Sequence, residues 1–217
     1  MDLAVIADNA AFMAAGLLVT VQLALIALCG GLLLGLLLAA GRLSRVSWFY
    51  YPASLYVHFM RGLPLILVIF WIYFLFPVLT GNKLNAFWAA AVSFIVYEAS
   101  YFAEIIRAGI QSIPHGQAQA ALSSGLTTWQ SARYVILPQA LRNMVPSLVT
   151  QAVIIFQDTS LAYVIGLRDF LRRVNLVDAR EARSVELYLF AGLVYLIVCS
   201  AGTLLSHRLE KRRQPAE

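Results

Sequence analysis

Charge is what this chain has least of. Acidic and basic residues fill 12% of its 217 positions, against 61% hydrophobic ones. A water-soluble domain carries about twice that share of charge, so the apolar excess, with a mean hydropathy of +0.77, has to face lipid. Cysteine is scarce as well. Cys29 and Cys199 each lie inside an apolar run, offer neither a disulfide framework nor a metal spacing, and are expected to be buried small hydrophobes. His58, His115 and His207 are scattered, so no metal site is expected, and no other feature calls for a cofactor. No basic residue precedes Arg42, which leaves no positive n-region for a cleavable signal. A G-x-x-x-x-G-K-[ST] loop is missing, so ATP chemistry would have to reside on another chain. Without G-x-S-x-G or H-E-x-x-H, a hydrolase has no motif behind it. The net charge of +5 is read through membrane topology and does not imply nucleic acid.

Long hydrophobic runs are what the chain does have. Five reach membrane length, at about Ala14–Ala40, Gly62–Leu79, Ala86–Ile106, Asn143–Ile165 and Leu187–Ser206. At 1.5 Å per residue such runs cover the ~30 Å hydrocarbon core. Backbone inside lipid must satisfy its own hydrogen bonds, and no barrel-like alternation is present, so the runs are helices. The expected fold is an all-α integral membrane protein of five transmembrane helices, one membrane domain over residues 1–217. With the N-terminus outside and the C-terminus inside, the inner face holds ten basic residues: Arg42, Arg45, Arg61, Arg107, Arg133, Arg142, Arg208, Lys211, Arg212 and Arg213. Six fall outside: Lys83, Arg168, Arg172, Arg173, Arg180 and Arg183. The positive-inside rule therefore favours N-out, C-in. The Arg168–Arg183 connection dissents, and its acids (Asp169, Asp178, Glu181 and, just beyond, Glu186) count little. Trp48-Phe49-Tyr50-Tyr51 fits an inner interfacial belt leading through a short surface helix to Arg61. Pro64 suits the first turn of the second span. Gly16, Gly30, Gly31, Gly35 and Gly41 permit close packing of the first.

The connection between the third and fourth spans, about residues 112–138, is almost uncharged. Pro114 suits a helix start, and Gln117 to Ser124 is Ala-rich and favours helix. Gly125 is placed to close that helix in a left-handed conformation. Thr127 and Gln130 have capping-box spacing for a second helix, with Trp129, Ala132 and Ile136 near one face. Pro138 is expected to start the next helix. The result is a compact, rigid elbow; the alternative is an amphipathic loop lying on lipid headgroups.

The pattern from Gly116 to Pro138 resembles the coupling-loop signature of ABC importer membrane subunits: E-A-A, three residues, G, nine residues, I-x-L-P. Here Gln119-Ala120-Ala121 stands for the triplet, Gly125 follows after three residues, and Val135, Leu137 and Pro138 complete it. Gln119 departs from the family's Glu, and Val135 from its Ile. Further stretches, among them Arg61-Gly62-Leu63-Pro64-Leu65, Glu98-Ala99-Ser100-Tyr101, Glu104-Ile105-Ile106-Arg107-Ala108-Gly109 and Gln157-Asp158-Thr159-Ser160-Leu161, extend the likeness over nearly the whole chain. They make it most similar to polar amino acid permeases, closest to the glutamate/aspartate branch. The resemblance implies a type I ABC importer transmembrane domain in a bacterial cytoplasmic (inner) membrane. It also implies a second permease subunit, as homodimer or heterodimer, ABC ATP-binding subunits docked on the elbows, and a periplasmic amino-acid-binding protein.

Polar groups inside the runs are the candidate substrate path. Glu98 lies near mid-membrane, where a carboxylate must face protein or water. It either lines the path or makes a structural hydrogen bond to a Tyr or Ser of a neighbouring helix. Ser147, Gln151 and Asp158 share one face of the fourth span and point to a partner helix or a water-filled path. Gln157, Asp158, Thr159 and Ser160 suit a gate or a break in the helix, or a packing cluster at the subunit seam. Arg61 at the inner edge either meets a passing carboxylate or anchors a phosphate or a helix. Glu104 and Arg107, three residues apart, are expected to pair. Glu98 and Asp158 as path-lining anions would favour a cationic substrate, whereas the resemblance favours an anionic one. Competing readings are a motor-independent channel or scaffold, and an intramembrane hydrolase built on Ser160, Asp158 and a histidine.

Overall fold

Every regular element among residues 4–211, the part that the computed structural model describes, is a helix. A short α1 (Ala4–Asp8) precedes α2 (Ala10–Leu43). α3 (Ser47–Arg61) and α4 (Leu65–Thr80) follow, then α5 (Ala86–Gln111). α6 (His115–Ser123) and the long α7 (Thr128–Ile165) come next, and α8 (Phe170–Glu181) and α9 (Ser184–Lys211) complete the fold. Arg212 and Arg213, counted above for topology, lie outside the described residues.

The most extensive contact is between α2 and α5. In lipid the hydrophobic effect gives no advantage to helix–helix contact, so close van der Waals packing has to hold the pair. Glycine makes that approach possible. A Cβ on Gly35 would lie 2.6 Å from the Phe102 Cβ and 3.0 Å from the Ala99 carbonyl oxygen, and one on Gly31 would lie 3.1 Å from the Glu98 Cβ. Phe94 and Phe102 of α5 and Leu23 of α2 are thereby sealed completely.

Among the described residues four helices, α2, α5, α7 and α9, are individually long and apolar enough to span a membrane. The fifth expected span is different in kind. α4 begins at Leu65, after Pro64 in extended conformation (φ −65°, ψ 135°), so Pro64 is the cap and not a first-turn residue. α4 and α3 together form a pair bent by 105°. The Gly62–Leu79 run thus lies almost wholly in α4, and the bend sets it apart from the aromatic helix, the surface helix expected before it. That helix buries Ala53, Ser54 and Val57 and exposes Trp48, Tyr51 and Leu55.

The fourth span also departs from expectation. Its helix is continuous from Thr128, and Pro138 sits inside it. Proline lacks the N–H that an α-helical turn needs, and its ring crowds the carbonyl four residues back. The chain absorbs it by widening Ser131–Ile136 into a π-turn, where the Leu137 N–H reaches back to the Ala132 carbonyl.

The Arg168–Arg183 connection contains α8, a helix too short and too polar to register as a hydrophobic run. Phe170, Val174 and Val177 form its buried face, the i, i+4, i+7 spacing of an amphipathic helix. Arg173 donates to the Phe12 carbonyl (2.9 Å) and Arg180 to Asn9 Oδ1 (2.9 Å), fastening α8 to the start of α2. Cys199 is buried as expected, but Cys29 is exposed. It faces outward from α2, where a thiol is as compatible with hydrocarbon as a small apolar group.

Candidate functional site

The elbow is built by local rules. Pro114 caps α6 with φ −56°. At its other end Gly125 takes φ +85°, the Leu126 N–H bonds the Ala121 carbonyl (3.2 Å) and the Gly125 N–H bonds that of Leu122 (3.0 Å). That pair of bonds is the Schellman stop, which requires the left-handed residue. Two residues later the Thr127 hydroxyl accepts from the Gln130 N–H (3.3 Å) while Gln130 Oε1 accepts from the Thr127 N–H (2.9 Å), a closed capping box. The arms are tied across by Gln139 Nε2 to Gln117 Oε1 (3.3 Å), and Asn143 Nδ2 donates to Ser112 Oγ (2.8 Å) at the root.

The elbow presents its small residues outward. Gly116, Gln119, Ala120, Gly125, Leu137 and Pro138 are exposed, and Val135 is partly so. Ala121 is the exception: it is buried at 6% exposure and packs inward. Beside the elbow, Ile110, Trp129, Ala132, Arg133, Ile136 and Leu137 line an apolar cleft of about 400 Å³. The expected face of Trp129, Ala132 and Ile136 is therefore the wall of a groove, with Trp129 71% exposed.

Within the membrane-depth helices, the expected polar face of α7 divides. Gln151 turns inward, and its Nε2 donates to Glu98 Oε2 at 2.7 Å. Glu98 is 0% exposed and its Oε1 has no partner. The carboxyl is enclosed within this chain, and its partner is a glutamine, not the Tyr or Ser anticipated. Ser147 stays exposed, on the rim of a cleft of about 440 Å³ with Glu104, Ser112, Asn143 and Met144. Gln157 is exposed and reaches the Cys199 thiol. Asp158 and Ser160 are half-buried. Thr159 is buried and donates to the Phe156 carbonyl (2.6 Å) where the helix tightens into a 3-10 stretch, Thr159–Ile165, ending at Gly166 with φ +80°. Ser147, Ile154 and Gln157 thus leave an exposed, largely polar stripe on a spanning helix.

Arg61 lies with its guanidinium 5.5 Å from the Tyr101 ring centroid and 3.8 Å from Glu104. Glu104 and Arg107 pair as expected. Arg42, which sequence reasoning used only for topology, pairs with the same Glu104. No local spacing links positions 62 residues apart, so that contact left no signal in the sequence.

Comparison with known proteins fits this arrangement. Residues 31–215 match the family of the binding-protein-dependent transport system inner membrane component. Over 207 residues the chain is 44% identical to the glutamate/aspartate import permease protein GltK of Escherichia coli O6:H1, covering 91% of each. It is 32% identical to the arginine transport system permease protein ArtQ of Bacillus subtilis, over 93% of this chain and 92% of the relative. A solved amino acid ABC transporter superposes with a TM-score of 0.91 at 30% identity, covering 98% of this chain and 99% of that one. The MetNI methionine ABC transporter in an inward-facing conformation shares the fold, with a TM-score of 0.69 at 19% identity over 94% of each chain. The chain belongs to the binding-protein-dependent transport system inner membrane components and is a multi-pass permease subunit of an amino acid ABC importer.

Proposed function

We propose that this subunit carries acidic amino acids, glutamate and aspartate, across the inner membrane, with its N-terminus outside and its C-terminus inside. Residues 112–138 are the coupling loop of a single transmembrane domain. Gly116, Gln119, Ala120, Ala121, Gly125, Val135, Leu137 and Pro138 form the surface on which an ATP-binding subunit seats and the frame behind it. The observation that carries this reading is the elbow itself. Two helix ends fixed by a Schellman turn and a capping box make it rigid, and its outward face includes the small residues Gly116, Ala120 and Gly125, which admit close contact. A loop lying on headgroups needs neither device.

Pairing with a second permease subunit, a copy or a sibling, answers a cost that a lone subunit bears. Exposed Ser147 and Gln157 sit on a spanning helix, and polar groups facing lipid cost free energy that a partner helix or a water-filled path removes. The path we infer runs along Ser147, Gln157, Asp158 and Ser160, while Thr159, buried and bonded to the Phe156 carbonyl, shapes the helix behind them. Glu98 and Gln151 support it from behind, since their mutual bond faces the interior of this chain. With Glu98 so enclosed, the electrostatic objection to an anionic substrate rests on Asp158 alone. Identity to the glutamate/aspartate relative exceeds that to the arginine relative, which supports the acidic substrate. A periplasmic binding protein delivers it and sets much of the selectivity.

The test is Gly125→Val in the assembled transporter, reconstituted with its ATP-binding subunits and binding protein. Valine strongly resists the left-handed conformation. Labelled glutamate uptake and the ATPase response to loaded binding protein should both fall at least about tenfold, equivalent to about 1.4 kcal/mol, while membrane insertion persists. In the unaltered transporter, unlabelled aspartate should compete and arginine should not. Undiminished ATP-driven uptake by the variant would overturn the coupling assignment, and competition by arginine instead of aspartate would overturn the substrate.

A further inference from the structure

Four ionised side chains meet one to two helical turns before the coupling loop begins. Glu104 of α5 takes Arg42 on one carboxylate oxygen and Arg107 on both, with Arg107 also bonded to Gln111. Arg61, the last residue of α3, lies 3.8 Å from the same carboxylate and stacks on Tyr101. Arg42 comes from the last turn of α2. One acid therefore ties together the inner ends of three helices. The Arg42 side chain is only 9% exposed, its Nη1 bonds Glu104 and its Nε has no partner. Without Glu104 it would be a nearly buried, uncompensated charge, which is strongly unfavourable.

The cluster also holds a hinge. The 105° bend between α3 and α4 occupies Gly62–Pro64. The residue before it and the middle of the bend itself are gripped from α5. Arg61 reaches Tyr101 and Glu104, and the Tyr97 hydroxyl donates to the Leu63 carbonyl at 3.2 Å. In the other direction, α5 runs without interruption from Glu104 to Gln111, directly before Ser112 at the root of the elbow. Seven residues of helix lie between Glu104 and Ser112, and eight rises of 1.5 Å make a rigid rod of about 12 Å.

We infer that Glu104 is a positioning residue that gears the coupling loop to the α3–α4 bend. A displacement of the elbow moves the end of α5, and the Glu104 cluster carries that displacement to the ends of α2 and α3 and so to the hinge. This rests on the coupling-loop assignment above, and names the route by which motion received there reaches the spanning helices. Packed side chains, ion-pair networks and rigid helices are the carriers of coupling between distant sites, and an ion cluster shared by three helix ends is such a network.

The experiment uses the complete transporter in proteoliposomes and reads amino acid transported per ATP hydrolysed. Glu104→Gln keeps the size of the side chain and removes its charge. The expected result is unchanged co-purification of the ATP-binding subunits, sustained ATP hydrolysis, and a fall in the transport-to-ATP ratio of at least about fivefold, the lower end of ordinary coupling strengths. Glu104→Asp should recover part of the ratio. Arg61→Gln, at a side chain 44% exposed, leaves the Arg42–Glu104–Arg107 core in place and should lower the ratio to a smaller extent. A purely structural role would reduce transport and hydrolysis in proportion and leave their ratio alone, so an unchanged ratio in both Glu104→Gln and Arg61→Gln overturns the proposal. Should Glu104→Gln fail to assemble, Arg61→Gln decides alone. If the unaltered elbow does not hold an ATP-binding subunit at all, the coupling-loop assignment fails first, and that is scored by co-purification and not by the ratio.

Discussion

Asp169 caps a helix and is sealed from water at once. Its Oδ1 accepts the Arg172 N–H at 3.0 Å and its Oδ2 has no partner. Burial pushes its pKa up to about 6, against the smaller opposing effect of the backbone N–H groups of Arg172 and Leu171. The folded state then keeps a proton that the unfolded chain has lost above its ordinary value of 3.8. Stability from this group is complete below pH 4 and lost as pH rises through about 6, on the order of 3 kcal/mol at about 1.4 kcal/mol per unit. Thermal unfolding in detergent should show a midpoint that falls between pH 4 and 7, and Asp169→Asn should flatten that fall. An equal slope in both proteins would show that Asp169 does not hold the extra proton. Single residues were legible in the sequence where their role is local. Gly125, Thr127 and Gln130 act through neighbours within five positions, and the structure uses each as the spacing indicates. Glu98 stands out in the sequence because its cost is intrinsic to its depth, but its partner Gln151 lies 53 positions away, and no periodicity encodes such a pairing.

Helices show the same division. Hydrophobic length located the spanning elements, because a bilayer imposes a minimum run on any sequence. It misplaced the start of α7, because Pro138 reads as a helix start while a π-turn lets the helix pass through it. It passed over α8, whose twelve residues are too few and too polar to register as a span, although Phe170, Val174 and Val177 carried a readable amphipathic pattern. The glycines of α2 were read correctly as points of close approach, and this can be measured. Gly35→Ala puts a methyl against the Phe102 Cβ and the α5 backbone, an overpacking that costs about 1–3 kcal/mol. Gly192 of α9 has no heavy atom within 4 Å of the equivalent position. Gly35→Ala should lower the unfolding midpoint and Gly192→Ala should not. Equal effects would mean that α2 and α5 are not in the contact described.

Across the whole molecule, the surface records which neighbours each part meets. α9 is the least enclosed of the spanning helices and presents Leu189, Leu193, Leu196 and Ile197 outward, as a lipid-facing helix does. α5 is the most enclosed and serves as the axis about which the others pack. Between those extremes α7 carries its exposed polar stripe, and the elbow leaves the bundle at the start of the same helix. The family, the membrane and the elbow were therefore accessible from sequence, since each is written in a local run or a fixed spacing. The three-helix ion cluster was not, because it exists only once distant segments have packed.

The central claim is that the outward face of the elbow is held by a separate ATP-binding subunit. A cysteine in place of Ala120, exposed on that face, tests it in intact cells once Cys29 and Cys199 have been replaced by alanine. Ala121 is unsuitable because it packs inward. A control cysteine at Leu37, 71% exposed on α2, reports on the lipid-facing side. The account predicts a short-range crosslink from Ala120→Cys to the ATP-binding subunit and none from Leu37→Cys. No such adduct from Ala120→Cys, in cells that continue ATP-driven uptake, would contradict it.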